Sequence, residues 1–189
     1  DFKVAGTDVT NAFIIAVDDA NAGYTHASDF QSLTIDTTAT SGVATVSATA
    51  ETDSKIIITT GSGADVITVS NSANFGDNIS TGAGDDDIRI DDGDLTNIDT
   101  INGGAGTDEI VILDDVTLLD AAFTNVSNVV AIKGVGTDDK LVATLGQHAA
   151  AAGITTVTFS DTAAVETLTV GSGFTNDLSV TMDADNSSD

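Results

Sequence analysis

One short pattern, Gly-x-Gly-x-Asp-x-Ile, occurs three times at nearly constant spacing and limits what this chain can fold into. The copies lie within residues 60–67, 81–88 and 103–110. Repetition at a period of about 21–22 residues is typical of solenoids, in which each repeat buries its apolar face against its neighbours. The spacing therefore predicts a stack of similar coils.

A looser element falls between these copies. Asp77 and Asp99 each precede an Ile by two positions, as do the Asp residues of the three motifs. The five Asp-x-Ile elements lie at unequal steps along the chain, so that a long and a short half-turn alternate. Each coil of about 21–22 residues therefore contains two strands, one for each half-turn.

Short β-branched runs continue this rhythm on both sides of the motif. They are bounded by Gly, Asp, Asn or Ser, as expected for strands that are joined by polar turns. The runs are residues 33–35, 43–46, 55–58, 110–113, 129–132, 141–145, 154–159, 166–170 and 178–182. We predict an all-β solenoid over residues 31–189, with helical turns near 118–123 and 147–152. Residues 1–30 carry little of the repeat and are expected to be a cap or the end of a preceding domain.

The composition of the motif favours calcium binding. Glycines at alternate positions allow positive φ angles, which cost other residues about 1 kcal/mol or more. Carbonyl oxygens can then turn inward beside the Asp carboxylate, and coils stacked about 4.8 Å apart bring neighbouring loops together. Oxygen atoms of these kinds are the ligands that Ca²⁺ prefers. Stacked carboxylates without an ion would repel by a few kcal/mol, so we expect folding and calcium binding to be coupled.

These segments resemble the RTX, or hemolysin-type calcium-binding, repeat, whose pattern is Gly-Gly-x-Gly-x-Asp-x-U-x, where U is a large apolar residue. The third copy matches fully, whereas Thr60 and Thr81 replace the leading glycine in the first two. The resemblance implies a right-handed parallel β-roll with Ca²⁺ between the loops of neighbouring coils. The residues that match the family's ligand positions are Gly61, Gly63, Asp65, Gly82, Gly84, Asp86, Gly104, Gly106 and Asp108.

Thr60 and Thr81 complete the expected metal site, for which we predict at least two Ca²⁺ ions. The alternate half-turns depart from the family pattern, because they are longer and lack the glycine pair. Asp77 and Asp99 are candidate ligands on that opposite edge. Together with Asp91, Asp92 and Asp94 they form either irregular metal sites or a solvated acidic rim.

The charge balance narrows the possible functions. Thirty acidic residues, 27 of them Asp, face five basic ones, which gives a formal net charge of −25. Nucleic-acid binding needs a basic surface that this chain cannot provide, and the absence of Cys excludes disulfides and thiol chemistry. No apolar run is long enough to insert into a membrane. High net charge is also typical of disorder, but 13 of the 27 Asp lie in residues 65–120, which favours a fold that depends on cations.

The expected function is structural and not enzymatic, because His26 and His148 are isolated and the neighbouring carboxylates Asp114 and Asp115 lack an aromatic sugar platform. We expect an extracellular building block of a bacterial surface layer or cell-surface filament. Its partners would be copies of itself, or neighbouring domains of a larger surface protein, and the RTX resemblance implies export by type I secretion. The alternatives are a repeat domain of a secreted adhesin that binds glycans or surfaces and, from the Thr-rich strand faces, an ice-binding solenoid.

Overall fold

Short strands rich in Val, Ile and Thr make up most of the molecule, because β-branched side chains pack well on a pleated surface. The computed structural model describes residues 2–3, 12–17, 32–52, 54–70, 75–135, 140–160 and 165–182. In chain order the strands are β1 (Phe2–Lys3), β2 (Phe13–Ala16), β3 (Ser32–Asp36), β4 (Ala44–Ser47), β5 (Lys55–Thr59), β6 (Val66–Thr68), β7 (Asn78–Ser80), β8 (Asp87–Ile90), β9 (Thr100–Asn102), β10 (Glu109–Ile112), β11 (Val116–Leu118), β12 (Val126–Ser127), β13 (Ala131–Gly134), β14 (Leu141–Leu145), β15 (Thr156–Phe159), β16 (Thr167–Val170) and β17 (Ser179–Met182).

The strands form three parallel sheets. Sheet 1 has the order β1-β3-β5-β7-β9-β12, sheet 2 the order β17-β15-β13-β10-β8-β6-β4-β2, and sheet 3 the order β11-β14-β16. Neighbouring strands of a sheet come from successive coils of the chain. The predicted fold class is confirmed, since the chain winds as a right-handed parallel β-solenoid.

A single row of β-branched side chains runs through the whole of sheet 2. It consists of Ile15, Val46, Ile67, Ile88, Ile110, Ile132, Val157 and Val180, each paired with the next across the strands. The six inner members are fully buried, whereas Val180 at one end is 50% exposed. From Val46 to Ile110 each step along the row is one coil of the expected length, which confirms the predicted period.

The core lies between the sheets and is built by side chains at alternate strand positions. In sheet 1 a second buried row faces that of sheet 2. It consists of Ile35, Ile58, Ile79, Ile101 and Val126. Intervening residues such as Ile57 and Thr59 point to the outer face and are only half-buried.

Coils with one strand in sheet 1 and one in sheet 2 extend as far as β10, after which each coil also has a strand in sheet 3, while sheet 1 ends at β12 and the helix α1 (Gln147–Ala152) follows β14 in its place. Val116 and Leu118 of β11 are buried, so the apolar run that follows β10 adds another face to the core. In sheet 3 Val116 pairs with Leu141, which lies further along the chain than one coil of the motif region would reach. The longer period thus accommodates the added strand.

The two predicted helical turns are confirmed. The first is a 3-10 turn (Asp120–Phe123), and the second is α1 (Gln147–Ala152), which packs against β12. Gly153 ends α1 with a φ of 108°, a left-handed conformation that glycine adopts without strain. Of the predicted N-terminal cap, β1 and β2 pair with β3 and β4, and residues 4–11 and 18–31 lie outside the described ranges.

Candidate metal centre

The three copies of the motif lie along one edge of the solenoid. They occupy the turns that lead from sheet 1 into sheet 2, between β5 and β6, β7 and β8, and β9 and β10. Their carboxylates are buried at the corner of the core, with exposed fractions of 1%, 0% and 0% for Asp65, Asp86 and Asp108. We refer to these three residues as the motif row.

One oxygen of each carboxylate in the motif row binds the backbone of the preceding coil. Asp86 Oδ1 accepts a hydrogen bond from the Asp65 N–H at 2.7 Å, and Asp108 Oδ1 accepts one from the Asp86 N–H at 3.1 Å. Asp65 Oδ1 continues the row by accepting from the Ala44 N–H at 2.7 Å. These charge-assisted bonds tie each coil to the next at the corner.

The other oxygen of each carboxylate, Oδ2, is buried and has no hydrogen-bond partner in Asp65, Asp86 or Asp108. Burial raises the pKa of all three carboxyls, in Asp108 to about 6, although the hydrogen bonds from backbone N–H groups oppose this effect. An unpaired buried charge is costly, by several kcal/mol. Protons or a cation would remove this cost, and carboxylate, hydroxyl and carbonyl oxygens are ligands that suit Ca²⁺.

Threonine hydroxyls lie beside the first two carboxylates of the row. Thr60 Oγ1 donates to the Thr81 carbonyl at 2.6 Å, and Thr81 Oγ1 donates to the Gly103 carbonyl at 2.7 Å. Both hydroxyls lie close enough to the carboxylates of Asp65 and Asp86 to lower the pKa of these groups. Each hydroxyl has only one proton, however, which the carbonyl accepts, so the neighbouring Oδ2 has no hydrogen bond of its own and the hydroxyl oxygen can still act as a ligand. In the third coil a Cβ on Gly103 would lie 2.6 Å from Asp108 Oδ2, so the carboxylate occupies the space next to this glycine.

The glycines let successive loops stack in direct backbone contact. Gly82 has a φ of 88°, and a Cβ there would lie 2.1 Å from the Gly61 carbonyl oxygen. That carbonyl accepts a hydrogen bond from the Ala83 N–H, and the Gly82 carbonyl accepts one from the Ala105 N–H, both at 2.9 Å. The predicted carbonyl ligands Gly61 and Gly82 thus also join one loop to the next.

The first copy of the motif differs in conformation from the other two. Gly82, Gly84, Gly104 and Gly106 all have positive φ, as expected, but neither glycine of the first copy does. There the need for glycine comes from close approach alone, since a Cβ on Gly61 would lie 1.9 Å from the Thr40 carbonyl oxygen and one on Gly63 would lie 2.5 Å from that of Gly42.

The opposite edge, formed by the turns from sheet 2 into sheet 1, contains a second pair of buried carboxylates. Asp77 Oδ1 accepts from the Ile56 N–H at 2.9 Å, and Asp99 Oδ1 accepts from the Asp77 N–H at 2.8 Å. Here the second oxygens are satisfied. The Ser70 hydroxyl donates to Asp77 Oδ2 at 2.5 Å, and the Thr96 N–H and hydroxyl donate to Asp99 Oδ2 at 2.7 and 2.8 Å. We refer to Asp77 and Asp99 as the opposite row.

Asp94 is a further buried carboxyl on this edge. Its Oδ2 accepts from the Asp91 N–H at 2.8 Å, whereas its Oδ1 is buried and unpaired. Burial, reinforced by the charges of Asp91, Asp77 and Asp99, raises the pKa of Asp94 to about 6. Asp91 and Asp92 are exposed and form the acidic rim of the turn.

The structure brings the motif residues into register but does not gather acidic side chains at a single point. Among the described residues no three Asp, Glu, His or Cys side chains form a metal-binding group. A cation on the motif row would therefore combine carboxylate oxygens of two neighbouring coils with hydroxyl and carbonyl oxygens. The predicted ligands Asp77 and Asp99 lie apart from the motif row, on the other edge.

Two polar residues that position the opposite row, Thr96 and Ser70, were not predicted, and neither was the capping role of Asp120. Thr96 stands three positions before Asp99, a local pattern that is typical of hydroxyl–carboxylate turns and could have indicated the contact. Ser70 and Asp77 are separated by too much chain for a local signal. Asp120 Oδ1 accepts from the Gly146 and Ala149 N–H groups at 2.7 and 3.0 Å and so caps α1 from the neighbouring coil.

The residues considered as candidates for catalysis in the sequence make local structural contacts where the structure describes them. Asp115 Oδ1 accepts a hydrogen bond from the Lys140 N–H at 2.8 Å, and this bond links β11 to β14. His148 lies in α1 with its Nε2 3.4 Å from the Gln147 amide. His26 lies outside the described residues. The absence of enzymatic activity stays a prediction.

Comparisons with protein-family models, curated proteins and solved structures give no match for this chain. The fold is therefore established by its own geometry, and the RTX resemblance rests on the motif alone. No helix in the described ranges is long and apolar enough to cross a membrane.

Proposed function

We propose that this chain is a calcium-stabilised structural protein whose coils are joined along the motif row by Ca²⁺. The observation that carries the proposal is the row of three buried, unpaired Oδ2 atoms of Asp65, Asp86 and Asp108. Carboxylates in coils about 4.8 Å apart repel one another by a few kcal/mol at an effective dielectric constant near 20. A divalent cation converts that repulsion into attraction between coils.

Two ions fit this row, one between Asp65 and Asp86 and one between Asp86 and Asp108. Asp86 would then be shared by both, so its side chain is the central one of the site. Ca²⁺ prefers six to eight oxygen ligands at about 2.3–2.6 Å. Thr60, Thr81 and the motif glycine carbonyls supply the oxygens that the carboxylates do not.

The rest of the chain supports a structural role in a calcium-rich exterior. Cys is absent, so disulfides cannot staple the fold, and a net charge of −25 keeps copies apart unless cations screen it. Millimolar Ca²⁺ outside cells suits sites of modest affinity. We propose that the chain is a self-assembling block of a bacterial surface layer or filament, exported by type I secretion.

Circular dichroism, calorimetric titration and light scattering on the same sample test this function. After EDTA treatment the β signal should weaken and the unfolding temperature fall, and millimolar Ca²⁺ should restore both with at least two ions bound. Mg²⁺ at equal concentration is the control, and it should restore less, because it demands a smaller, stricter octahedron. An identical unfolding curve in EDTA and in Ca²⁺ would overturn the proposal, and calcium-dependent folding without particle growth would favour the adhesin role.

A further inference from the structure

Both edge strands of sheet 2 lack the features that usually prevent strands from pairing with other chains. Exposed edges in natural proteins are blunted by charged residues, proline or bulges. Neither β2 (Phe13–Ala16) nor β17 (Ser179–Met182) contains a charged residue or a proline. Every residue of β17 is exposed, and Ile14 in β2 is 81% exposed. The described part of the chain thus presents an open, uncharged strand at each end of its largest sheet.

The charged side chains of the same sheet lie on three strands in its middle, and the strands toward both of its ends carry none. The outer faces of β8, β10 and β13 carry Asp87, Arg89, Glu109 and Lys133, of which Arg89 pairs with Asp87 at 3.1 Å and Lys133 with Glu109 at 3.9 Å. Two copies of a chain with a net charge of −25 repel over most of their surfaces. The strands at the two ends of sheet 2 add no charge of their own to this repulsion.

The core is open at the β17 end. Val180 and Met182 occupy the positions that stack on the buried Val157 and Phe159, yet they are 50% and 63% exposed. In sheet 3 Val170 stacks on the buried Leu145 and is 50% exposed. These core-facing side chains have no coil above them in the described ranges, which favours another β layer as the partner, because such a layer would cover the apolar side chains and also pair with the strand edge.

We propose that sheet 2 continues from one copy of the chain into the next, with β17 of one copy pairing in parallel with β2 of a second copy. The register follows from the buried row of sheet 2, which begins at Ile15 and ends at Val180. Placing Ile15 of the second copy on Val180 extends that row without interruption. The contact is head-to-tail, so it repeats and builds a filament. This inference rests on the proposed structural function but needs no particular metal site.

A two-fold contact between two β17 strands fits less well. It would cover the open core once but leave β2 of both copies as an unprotected edge. It would also be antiparallel, whereas every strand pair in the described residues is parallel. Head-to-tail pairing covers both edges at once.

Engineered disulfides test the register directly, because the chain contains no Cys. If Ile15 stacks on Val180, then Ala16 of one copy lies opposite Thr181 of the other on the exposed outer face. Parallel neighbours about 4.8 Å apart are within disulfide range. Ala16→Cys and Thr181→Cys proteins are mixed in Ca²⁺ and oxidised with copper–phenanthroline. We expect a disulfide-linked heterodimer from the mixture and a ladder of multimers from the double variant.

Thr158→Cys is the matched control, since Thr158 pairs with Thr181 on the same outer face but lies one coil inside the edge. It should not cross-link to Ala16→Cys. Equal yields from Thr158→Cys and Thr181→Cys would overturn the proposal, as would Thr181→Cys homodimers, which indicate the two-fold contact. A second variant, Val180→Lys, should reduce the particle mass to that of one chain, 18.9 kDa.

Circular dichroism and calcium titration on the same samples separate this inference from the proposed function. A folded, calcium-binding protein that gives no cross-link overturns the head-to-tail contact alone, and the edges are then covered by other chain segments. A protein that cross-links in register but responds to no calcium keeps the contact and removes the calcium function.

Discussion

Carboxylates of the motif row and of the opposite row bind the backbone of the preceding coil in the same way, but the two rows differ in whether the second carboxylate oxygen has a hydrogen-bond partner. In both rows one carboxylate oxygen accepts an N–H from the preceding coil, as Asp86 does from Asp65 and Asp99 does from Asp77. In the opposite row the second oxygen is bound by Ser70 or Thr96. In the motif row the second oxygen is buried without a partner.

This difference separates structural carboxylates from candidate metal ligands. Spacing alone makes the two rows alike, because both repeat with the coil and both precede an Ile by two positions. Only the hydrogen bonds show that both carboxylate oxygens of each residue in the opposite row already have partners. Four predictions test this distinction, in order of decreasing expected effect.

The largest difference is expected for Gly82→Ala. A Cβ there would lie 2.1 Å from a backbone carbonyl oxygen at a φ of 88°, so strain and overpacking together should cost about 3–4 kcal/mol. Gly93, in the turn on the opposite edge, has a similar φ of 81° and nothing within 4 Å. Gly93→Ala should therefore cost only about 1 kcal/mol. Urea unfolding in Ca²⁺ measures both, and equal losses would mean that the motif corner is not tightly stacked.

Asp86→Asn and Asp77→Asn should respond to calcium in different ways. In Asp86→Asn the side-chain amide oxygen keeps the hydrogen bond from the Asp65 N–H, but the proposed ions lose the ligand that they share. Stabilisation by Ca²⁺, about 3 kcal/mol at a hundredfold excess over Kd, should largely disappear. In EDTA the same variant should be more stable than the parent chain, because an unpaired buried charge is gone.

Asp77→Asn is the matched control for that variant. It replaces the acceptor of the Ser70 hydroxyl and should cost about 1 kcal/mol with or without Ca²⁺. Thermal unfolding of both variants in EDTA and in Ca²⁺ gives the four values needed. The metal assignment of the motif row would be lost if Asp86→Asn were destabilised equally in both solutions.

Without bound metal, the protein should be more stable at acidic than at neutral pH. The folded-state pKa values of Asp108 and Asp94 are raised from 3.8 to about 6, chiefly by burial. The folded state then binds more protons than the unfolded one, so this stability is fully present below about pH 4 and is lost as the pH rises through about 6. Each group contributes about 3 kcal/mol at about 1.4 kcal/mol per pKa unit.

Unfolding in EDTA should therefore occur at higher urea concentration near pH 4 than near pH 7. Ca²⁺ competes with protons for the same oxygens, so its stabilising effect should grow over that range. Asp108→Asn is the control, and its metal-free stability should vary less with pH. A metal-free protein that is most stable near neutral pH would contradict the buried, unpaired state of the carboxylates.

The local rules of strand and turn predicted most of the fold. The period follows from the recurrence of β-branched runs and of the glycine motif, the parallel coils were implied by the resemblance to the RTX repeat, and both helical turns were predicted where this rhythm is broken. The third sheet was not predicted, because Val116 and Leu118 form a run too short to distinguish a strand from a loop. Their role depends on Leu141, which lies one coil further along the chain and pairs with Val116.

The candidate site was predicted less completely for a similar reason. The alignment of Asp65, Asp86 and Asp108 follows from the repeat, but the state of each oxygen depends on hydrogen bonds between coils. Thr60 Oγ1 donates its proton to the carbonyl of Thr81, and no sequence pattern specifies that choice. The sequence therefore identified the carboxylates but not which of them remain unpaired.

Ser70→Ala should give the smallest effect. It removes the hydroxyl that binds Asp77 Oδ2, so that Asp77 comes to resemble the carboxylates of the motif row. Removing the hydroxyl takes away the 2.5 Å hydrogen bond to Asp77 Oδ2, at a cost of about 1–2 kcal/mol near pH 7. The pKa of Asp77, already raised by burial, should rise further, so the loss should shrink as the pH falls.

Ser47→Ala is the matched control, because Ser47 Oγ has only an exposed 3.4 Å contact with Thr49 Oγ1. It should change stability by less than about 0.5 kcal/mol. Equal effects of the two substitutions at all pH values would show that the Ser70 hydroxyl does not stabilise the Asp77 carboxylate. The contrast between the two rows would then have no energetic basis.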